Sequence, residues 1–320
     1  MKALLHNNFQ ITPFESGFKY SVSGPDGSTD VMNYLFEEGF IVNHMVSDMS
    51  RFTNENHIGQ MNYIMIDCTV RGRMVVEHDQ GHLSLSPGSV VVYRPVTVQS
   101  SMTVHTKEYE SITIGIDLGG YHTPGNSCAE EDGTVQRFVD RYGDTRLWPL
   151  EMPNRSMSDV MAIRKLLDRP ETRQQVHVLV NDILGDLTGS VSERPKEMVL
   201  AGSAENEDRL YGEIASSLDR PCNIQEACRS LGMDRYNICS SFSKVYGDTP
   251  YAFHKHQRLL DASGDLVLGD ETIGKIAEEC GFHKEDKFAK EFQKLFGCTP
   301  RRFRDGYREL FGRYDDLDHA

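Results

Sequence analysis

The N-terminal half of the chain contains a series of short apolar runs between about residues 60 and 120. These runs are NYIMIDCTV, RGRMVVEH, HLSLS, SVVVYRP and SITIGIDL, with turn-forming DQG and PG sequences between some of them. Short runs of this kind, with no helical period between them, are typical of antiparallel strands. The pattern predicts an antiparallel sandwich or a small barrel.

The spacing of the apolar residues changes after Pro153. Between 157 and 189 it becomes helical, for example at Val176, Leu179 and Ile183, which predicts two amphipathic helices. Two alternatives remain open for these helices, which either pack on the sheet region or join a second copy of the chain. A stretch rich in Gly, Ser, Pro and Glu then predicts a linker at 191–205, and helical patterns continue to about residue 310.

The C-terminal third of the chain contains an internal repeat. Residues 231–253 align with residues 280–303 with one inserted residue, and Gly, Phe, Lys, Thr and Pro recur at matching positions. In each copy an apolar helix precedes a glycine, Gly232 or Gly281, and a second helix follows it. Helix, short glycine-containing turn and helix is the arrangement of the DNA-binding helix-turn-helix, so the sequence predicts two such motifs.

The second helix of each motif has an apolar face and a polar face. At about 100° per residue, Phe288 and Phe292 share one face, and a stripe of lysines lies on the other. A lysine stripe alone is typical of a solvated helix, whereas beside a repeated turn and an apolar rear face it indicates contact with DNA. The candidate DNA-contacting residues are Tyr236, Asn237, Ser240 and Lys244 in the first motif and Lys284, Glu285, Asp286, Lys287, Lys290 and Lys294 in the second.

The candidate residues differ in the contacts that their chemistry allows. Lysines donate hydrogen bonds to guanine O6 and N7 or to phosphates, and carboxylates accept from cytosine N4. Glu285 and Asp286 have a second available role, because acidic residues in the first turn stabilise a helix and His283 is a poor N-cap. Both roles remain open for these two residues.

The charge of the chain is unevenly distributed. The 320 residues carry a formal net charge of −14, which taken whole argues against a polyanionic partner. Residues 1–220 hold 19 basic and 31 acidic side chains, whereas residues 221–314 hold 15 and 14. Residues 284–304 hold seven basic side chains against three acidic ones. This local basic patch is compatible with binding of a nucleic acid by the C-terminal region, despite the negative net charge of the whole chain.

Composition excludes several other classes of protein. Charged residues make up 26% of the chain and apolar residues 38%, which is typical of a soluble globular protein. No apolar run approaches the ~20 residues of a membrane helix, and the N-terminus lacks the apolar segment of a signal peptide. The seven cysteines form no CxxC pair, which favours reduced thiols. We therefore expect a cytoplasmic location and no membrane partner.

The C-terminal region resembles the DNA-binding domain of the AraC/XylS family of bacterial transcriptional regulators. The resemblance covers residues 206–310 and includes the linker-helix sequence RLLDASGDLVL and the second-motif sequence IGKIAEECGFHKEDKFAKEFQKLFGCTPRRFR. Two residues depart from the family pattern. Ser240 stands where the first recognition helix often carries a basic residue, and Gly264 replaces the usual long residue of the linker helix.

The resemblance implies an α+β protein of two domains. Residues 1–190 are expected to form a cupin-like β-barrel with following helices that senses an effector and dimerises, 191–205 a linker, and 206–314 the double helix-turn-helix domain. The implied function is that of a sequence-specific, effector-responsive transcriptional activator. Its implied partners are double-stranded promoter DNA, a small-molecule effector, RNA polymerase and a second copy of the chain.

The front half resembles the cupin-like sensor barrel more weakly, through LSLSPGSVVVYRP and SITIGIDL. The paired histidines and carboxylate of a catalytic cupin are missing, and no phosphate loop, GxSxG or HExxH motif occurs. We therefore expect a non-enzyme without metal or cofactor, and the effector-binding residues stay unknown. The alternative is a cupin-type metabolite-binding protein or enzyme whose helical half docks a protein partner. A third option keeps DNA binding but replaces the metabolite effector with a regulatory protein.

Overall fold

The computed structural model describes residues 8–24, 26–36, 39–49, 51–53, 62–78, 81–95, 101–119, 133–167, 169, 172–189, 204–269 and 271–315. The chain divides into two compact units, one formed by residues 1–152 and 184–204 and the other by residues 153–183 and 205–320. The first unit is rich in strands and the second is helical. This arrangement confirms the prediction of a mixed α+β protein. The predicted linker at 191–205 lies almost entirely outside the described residues.

The first unit contains twelve described strands in two antiparallel sheets. The strands are β1 (Asn8–Phe14), β2 (Gly17–Gly24), β3 (Gly27–Leu35), β4 (Phe40–Ser47), β5 (Arg51–Thr53), β6 (Tyr63–Arg71), β7 (Met74–His78), β8 (Gly81–Leu85), β9 (Ser89–Tyr93), β10 (Ser101–Val104), β11 (Tyr109–Asp117) and β12 (Leu147–Glu151). The larger sheet has the order β1-β2-β3-β4-β11-β6-β9-β12 and the smaller one the order β5-β10-β7-β8. The larger sheet begins and ends on different strands, so it is not closed on itself.

The strand patterns at 60–120 predicted only part of these sheets. Strands β1 to β4 precede the predicted region, and β1 to β3 form a meander of hairpins. Most described side chains of β2 are partly buried on both faces. Its sequence, FKYSVS, nevertheless alternates between apolar and polar residues, so the strand signal was present here although the predicted region began only near residue 60.

The two faces of the larger sheet differ in chemistry. On one face the side chains at the centre of the sheet are apolar and fully buried, as for Ile66 of β6 and Ile112 and Ile114 of β11. The opposite face contributes Val91 and Tyr109 to a core cluster whose other members belong to the smaller sheet. We call this opposite side the inner face, because it is turned towards the smaller sheet.

Ten described helices complete the fold. They are α1 (Thr134–Tyr142), α2 (Asn154–Leu166), α3 (Arg173–Gly189), α4 (Glu205–Ala215), α5 (Ile224–Ser230), α6 (Arg235–Tyr246), α7 (Pro250–Leu268), α8 (Ile273–Glu279), α9 (Glu285–Phe296) and α10 (Pro300–Asp315). Helices α2 and α3 are the two helices predicted from the spacing after Pro153. Helix α1 belongs to the first unit and had not been predicted.

Helix α2 packs against α7 within the helical unit. Gly264 of α7 is buried, and a Cβ atom added there would lie only 3.2 Å from the carbonyl carbon and the Cβ of Met161. Lys165 Nζ donates to Asp265 Oδ1 at 2.6 Å beside this crossing. Gly264 therefore removes the side chain that would separate the two helices, which offsets its cost in helix propensity of about 1 kcal/mol.

Residues 153–183 lie with the helical unit, whereas the resemblance implied that they belong to the domain of residues 1–190. Neither of the two alternatives predicted for these helices included α7 as a partner. The apolar spacing showed that the helices have a buried face, but it could not show which element covers that face. Among the described residues, no helix is long and apolar enough to cross a membrane. The same residues include no cluster of three or more His, Cys, Asp or Glu side chains arranged to hold a metal ion.

Candidate nucleic-acid interface

The structure contains the same helix-turn-helix twice. In the first motif, α5 and α6 are joined through Gly232, which has φ 68°, and the Met233 amide donates to the Cys228 carbonyl at 2.8 Å. In the second, α8 and α9 are joined through Gly281 with φ 71°, and the Phe282 amide donates to the Ala277 carbonyl at 2.7 Å. A left-handed φ favours glycine. The internal repeat of the sequence therefore corresponds to a repeated turn.

The first motif is built on an aromatic core. Phe242 is fully buried, and Tyr246 stacks on Tyr211 of α4 with ring centroids 5.0 Å apart. The Tyr246 hydroxyl donates to Asp208 Oδ1 at 2.7 Å, which satisfies a buried polar group. These contacts fix the rear of α6, so its opposite side is held towards solvent.

The second motif uses phenylalanines in the same way. Phe288 and Phe292 of α9 are fully buried, as the apolar spacing predicted. Phe292 contacts Phe303 of α10 edge to face at 5.2 Å, and Phe288 contacts Phe282 at 5.4 Å in the same geometry. The lysine side of α9 is consequently the exposed side.

The ten residues predicted to contact DNA are all exposed. On α6, Tyr236 is 85% exposed although it is a large aromatic residue. An exposed ring of this size on the outer face of a recognition helix is available to stack on or pack against a partner. The other nine exposed residues are Asn237, Ser240, Lys244, Lys284, Glu285, Asp286, Lys287, Lys290 and Lys294. The four residues of α6 lie on one side of their helix, and Lys287, Lys290 and Lys294 share the outer side of α9, whereas Glu285 lies beside Gly274 of α8. Contact of all ten residues with DNA stays a prediction.

The helix starts differ between the two motifs. Asp234 is the N-cap of α6, and its carboxylate accepts a hydrogen bond from the Asn237 amide at 2.9 Å. Lys284 is the N-cap position of α9 and makes no side-chain capping bond, whereas the sequence analysis had considered His283 for this position. Glu285 and Asp286 lie in the first turn of α9, where their charges favour the helix start without capping it.

One of the predicted lysines is already held by an ion pair. Lys294 Nζ lies 2.7 Å from Glu291 Oε1, and Lys255 of α7 lies 2.7 Å from Glu291 Oε2. Hydrogen bonds from Lys255 and then Lys294 lower the pKa of the Glu291 carboxyl to about 2. Among the described residues, no carboxylate forms an ion pair with Lys244, Lys287 or Lys290. These three lysines therefore present their charge outward more fully than Lys294 does.

Sequence reasoning had missed the role of Arg258 in this interface. The side chain is buried, and its Nε donates to the Cys280 carbonyl at 2.6 Å at the end of α8. Its guanidinium lies over the Phe282 ring at 4.5 Å, and a Cβ at Gly281 would be 2.7 Å from its Nη2. Arg258 thus connects the helix between the motifs to the turn of the second motif. The sequence showed Arg258 as part of a family pattern but not what it contacts.

Comparison with known proteins agrees with this geometry. Residues 227–306 match the family described as "Helix-turn-helix domain". The chain is 35% identical over 86 residues to the HTH-type transcriptional regulator ExsA of Pseudomonas aeruginosa, which covers 27% of this chain and 31% of that protein. It is 31% identical over 98 residues to the virulence regulon transcriptional activator VirF of Yersinia enterocolitica, and this alignment covers 31% of this chain and 36% of that protein.

The aligned region spans about a third of the length of these relatives. Among solved structures, the DNA-binding domain of AdpA in complex with a target DNA matches with 23% identity and a TM-score of 0.30, covering 32% of this chain and 94% of that chain. The family match at residues 227–306 covers most of the two motifs and all of the helix that joins them. Residues 227–306 of this chain therefore match a helix-turn-helix domain family, and the aligned relatives are named as transcriptional regulators.

Proposed function

We propose that this chain is a sequence-specific DNA-binding transcriptional activator of the AraC/XylS type. The observation that carries the proposal is the repeated helix-turn-helix, in which both recognition helices bury an aromatic face and expose the predicted contact residues. In DNA-binding helix-turn-helix proteins, the N-terminal residues of such helices contact base edges in the major groove. The name of the VirF relative supports activation as the direction of regulation.

The two helices are suited to different parts of the contact. The outer side of α6 offers Tyr236, Asn237 and Ser240, which are neutral groups for base edges, with Lys244 near its C-terminal end for phosphate. The outer side of α9 offers lysines for guanine or phosphate, and its first turn offers Glu285 and Asp286 for cytosine. We infer that the two motifs read different half-sites of an asymmetric operator.

The remaining parts of the proposal concern the first unit and the partners. Residues 1–190 sense an effector, and the two sheets, which share one core cluster, form a cupin-like barrel. Residues 157–189 contribute to a homodimer, and the activator contacts RNA polymerase in the cytoplasm. Residues 206–314 contain the contacts to promoter DNA, and 191–205 serves as the linker.

The proposal is tested by selecting genomic fragments with the full chain and titrating the best fragment with salt. Neutralisation of phosphates releases counterions, so the logarithm of the binding constant should fall linearly with the logarithm of salt concentration, with a slope of about −0.9 per phosphate contact. A helical half that only docks a protein partner should retain no fragment above background. That result would refute the proposal.

A matched pair of variants locates the contact. Lys244→Ala should weaken binding to all fragments alike and reduce the salt slope by about one. Lys275→Ala removes an exposed lysine from α8, where it is paired with Glu271 at 2.6 Å, and should leave both quantities unchanged. Equal effects of the two substitutions would show that general charge, and not the outer face of α6, determines binding.

A further inference from the structure

A row of polar side chains crosses the inner face of the larger sheet. Asn43 of β4 lies opposite Thr113 of β11, and Thr113 lies opposite Asp67 of β6. Thr113 is four residues from Tyr109 on the same strand, and Asp67 pairs with Val91, so the row shares its face with these two members of the core cluster. The row is therefore turned towards the smaller sheet.

Asp67 is a carboxylate with no basic partner in the described part of the chain. Its Oδ2 accepts hydrogen bonds from Thr113 Oγ1 at 2.7 Å and Ser111 Oγ at 3.2 Å, and its Oδ1 accepts from the Tyr109 hydroxyl at 3.4 Å. Among the residues that the structure describes, no Lys, Arg or His contacts it. Burial raises the pKa of the Asp67 carboxyl, against the opposing effect of these hydroxyls. Buried carboxylates are ordinarily paired with a cation, because desolvation of a lone charge is costly.

Asn43 supplies an independent observation at the other end of the row. The residue is only 7% exposed, and its Oδ1 has no hydrogen-bond partner in the described part of the chain. A buried acceptor without a hydrogen bond destabilises the fold, so such groups call for an explanation. Asn43 and Asp67 are two strands apart, which places their Cα atoms about 10 Å from each other.

Two residues of the inner face, one in the row and one beside it, remain accessible to solvent. Asp67 and Tyr93 of β9 both retain some accessible surface, although burial raises the pKa of each. Met45, Met102 and Leu147 are partly buried and pack against the core cluster beside them. The region thus combines acceptors on its floor with apolar walls, which is the usual character of a small-molecule site.

We propose that this row binds a small organic cation carrying amino or guanidino groups, with Asp67 as its counter-ion and Asn43 as its second hydrogen-bond acceptor. The inference rests on the proposed function, because such a ligand would be the effector of the first unit. Two acceptors require a ligand rich in N–H donors. An anionic ligand would face the carboxylate, and none of the described basic side chains contacts Asp67 to compensate it.

The test measures the melting temperature of the full chain with agmatine and with amines and guanidines of two to six carbons, including 1,4-diaminobutane. The neutral and anionic controls are 1,4-butanediol and succinate. At 100-fold excess over its Kd, a bound amine should raise the melting temperature by about 5–10 °C. Asp67→Asn should abolish the shift, whereas Asp140→Asn, at an exposed aspartate of α1, should retain it. No shift with any amine or guanidine, an equal shift with succinate, or a shift retained in Asp67→Asn would overturn the proposal.

The ligand-free protein gives a second measurement. Without its cation the Asp67 carboxylate is uncompensated, so Asp67→Asn should melt at or above the wild-type temperature at pH 7. A lower melting temperature would assign Asp67 a purely structural role and overturn the site. Salt-dependent DNA binding is measured on the same ligand-free samples. If DNA binding persists but no amine has an effect, only the cation site is rejected. If the wild-type chain does not bind DNA, the proposed function is rejected.

Discussion

Truncation of Arg258 should selectively destabilise the helical unit. The side chain joins α7 to the turn between α8 and α9, through its hydrogen bond to Cys280 and its contact with Phe282. Arg258→Ala removes both contacts and leaves the buried Cys280 carbonyl without this donor. We therefore expect a less stable second motif and weaker DNA binding.

The magnitude follows from the separate contacts. A hydrogen bond to a charged group contributes about 1.5–3 kcal/mol, and a desolvated cation–π contact contributes about 2 kcal/mol. Burial opposes these contributions, and it lowers the pKa of the Arg258 guanidinium from its usual value. We expect Arg258→Ala to lower the free energy of unfolding by about 2–4 kcal/mol, which is large relative to the usual 5–15 kcal/mol of a domain.

Urea unfolding with two probes measures this change. Trp148 is the only tryptophan and lies in β12 of the first unit, whereas the helical circular dichroism signal comes mainly from the second unit. With a urea dependence of about 2 kcal/mol per M, the dichroism midpoint of Arg258→Ala should fall by about 1–2 M. The midpoint of Trp148 fluorescence should stay close to that of the wild type.

Arg229→Ala is the matched control, because Arg229 is an exposed arginine on α5. Its effect should stay within about 0.5 kcal/mol, as for most surface substitutions. If Arg258→Ala behaves like this control, Arg258 does not stabilise the packing of α7 on the second motif. A shift of the Trp148 midpoint as large as that of the dichroism midpoint would likewise refute a local role.

Four further predictions concern the helical unit. The pKa of the Glu291 carboxyl is lowered, so the ionised group stabilises the fold above its usual pKa of 4.5, and this stabilisation is lost as the pH falls towards 2. Glu291→Gln should remove this part of the acid dependence in urea midpoints measured from pH 6 to pH 2. An unchanged pH profile would contradict the pairing of Glu291 with Lys255 and Lys294. Lys290→Ala should weaken binding to the selected fragment and, if Lys290 contacts a base, relax preference at one operator position, which competition with single-base operator variants detects. Gly264→Leu should lower the free energy of unfolding by about 1–3 kcal/mol, because the leucine overpacks the crossing of α2 and α7. This loss should exceed the ~1 kcal/mol gained in helix propensity. A variant as stable as the wild type would show that α2 does not lie against Gly264. Residues 206–314 expressed alone should fold and bind DNA. The fragment should melt at a lower temperature than the helical unit of the full chain, because it lacks α2, which packs against α7, and calorimetry measures this difference. A folded fragment without DNA affinity would contradict the independence of the domain.

The helical unit was largely readable from the sequence because its signals are local. Repeated spacing placed both turns at Gly232 and Gly281, and helical periodicity separated the buried Phe288 and Phe292 from the exposed lysines. Each of these features depends on residues within one or two turns of the same helix, where side-chain direction follows from backbone geometry. The same local signals could not show that Lys294 is held by Glu291 together with Lys255, because Lys255 lies on another helix.

The tertiary structure decided which distant elements meet. Gly264 departs from the family pattern in the sequence, and only the crossing of α2 over α7 explains it as a close approach to Met161. In the same way, Asn43, Thr113 and Asp67 are unremarkable polar residues of three separate strands, and strand register alone brings them into one row. Apolar periodicity specifies that a helix or strand has a buried face. Which surface covers that face depends on contacts between residues far apart in the chain, and no local pattern encodes them.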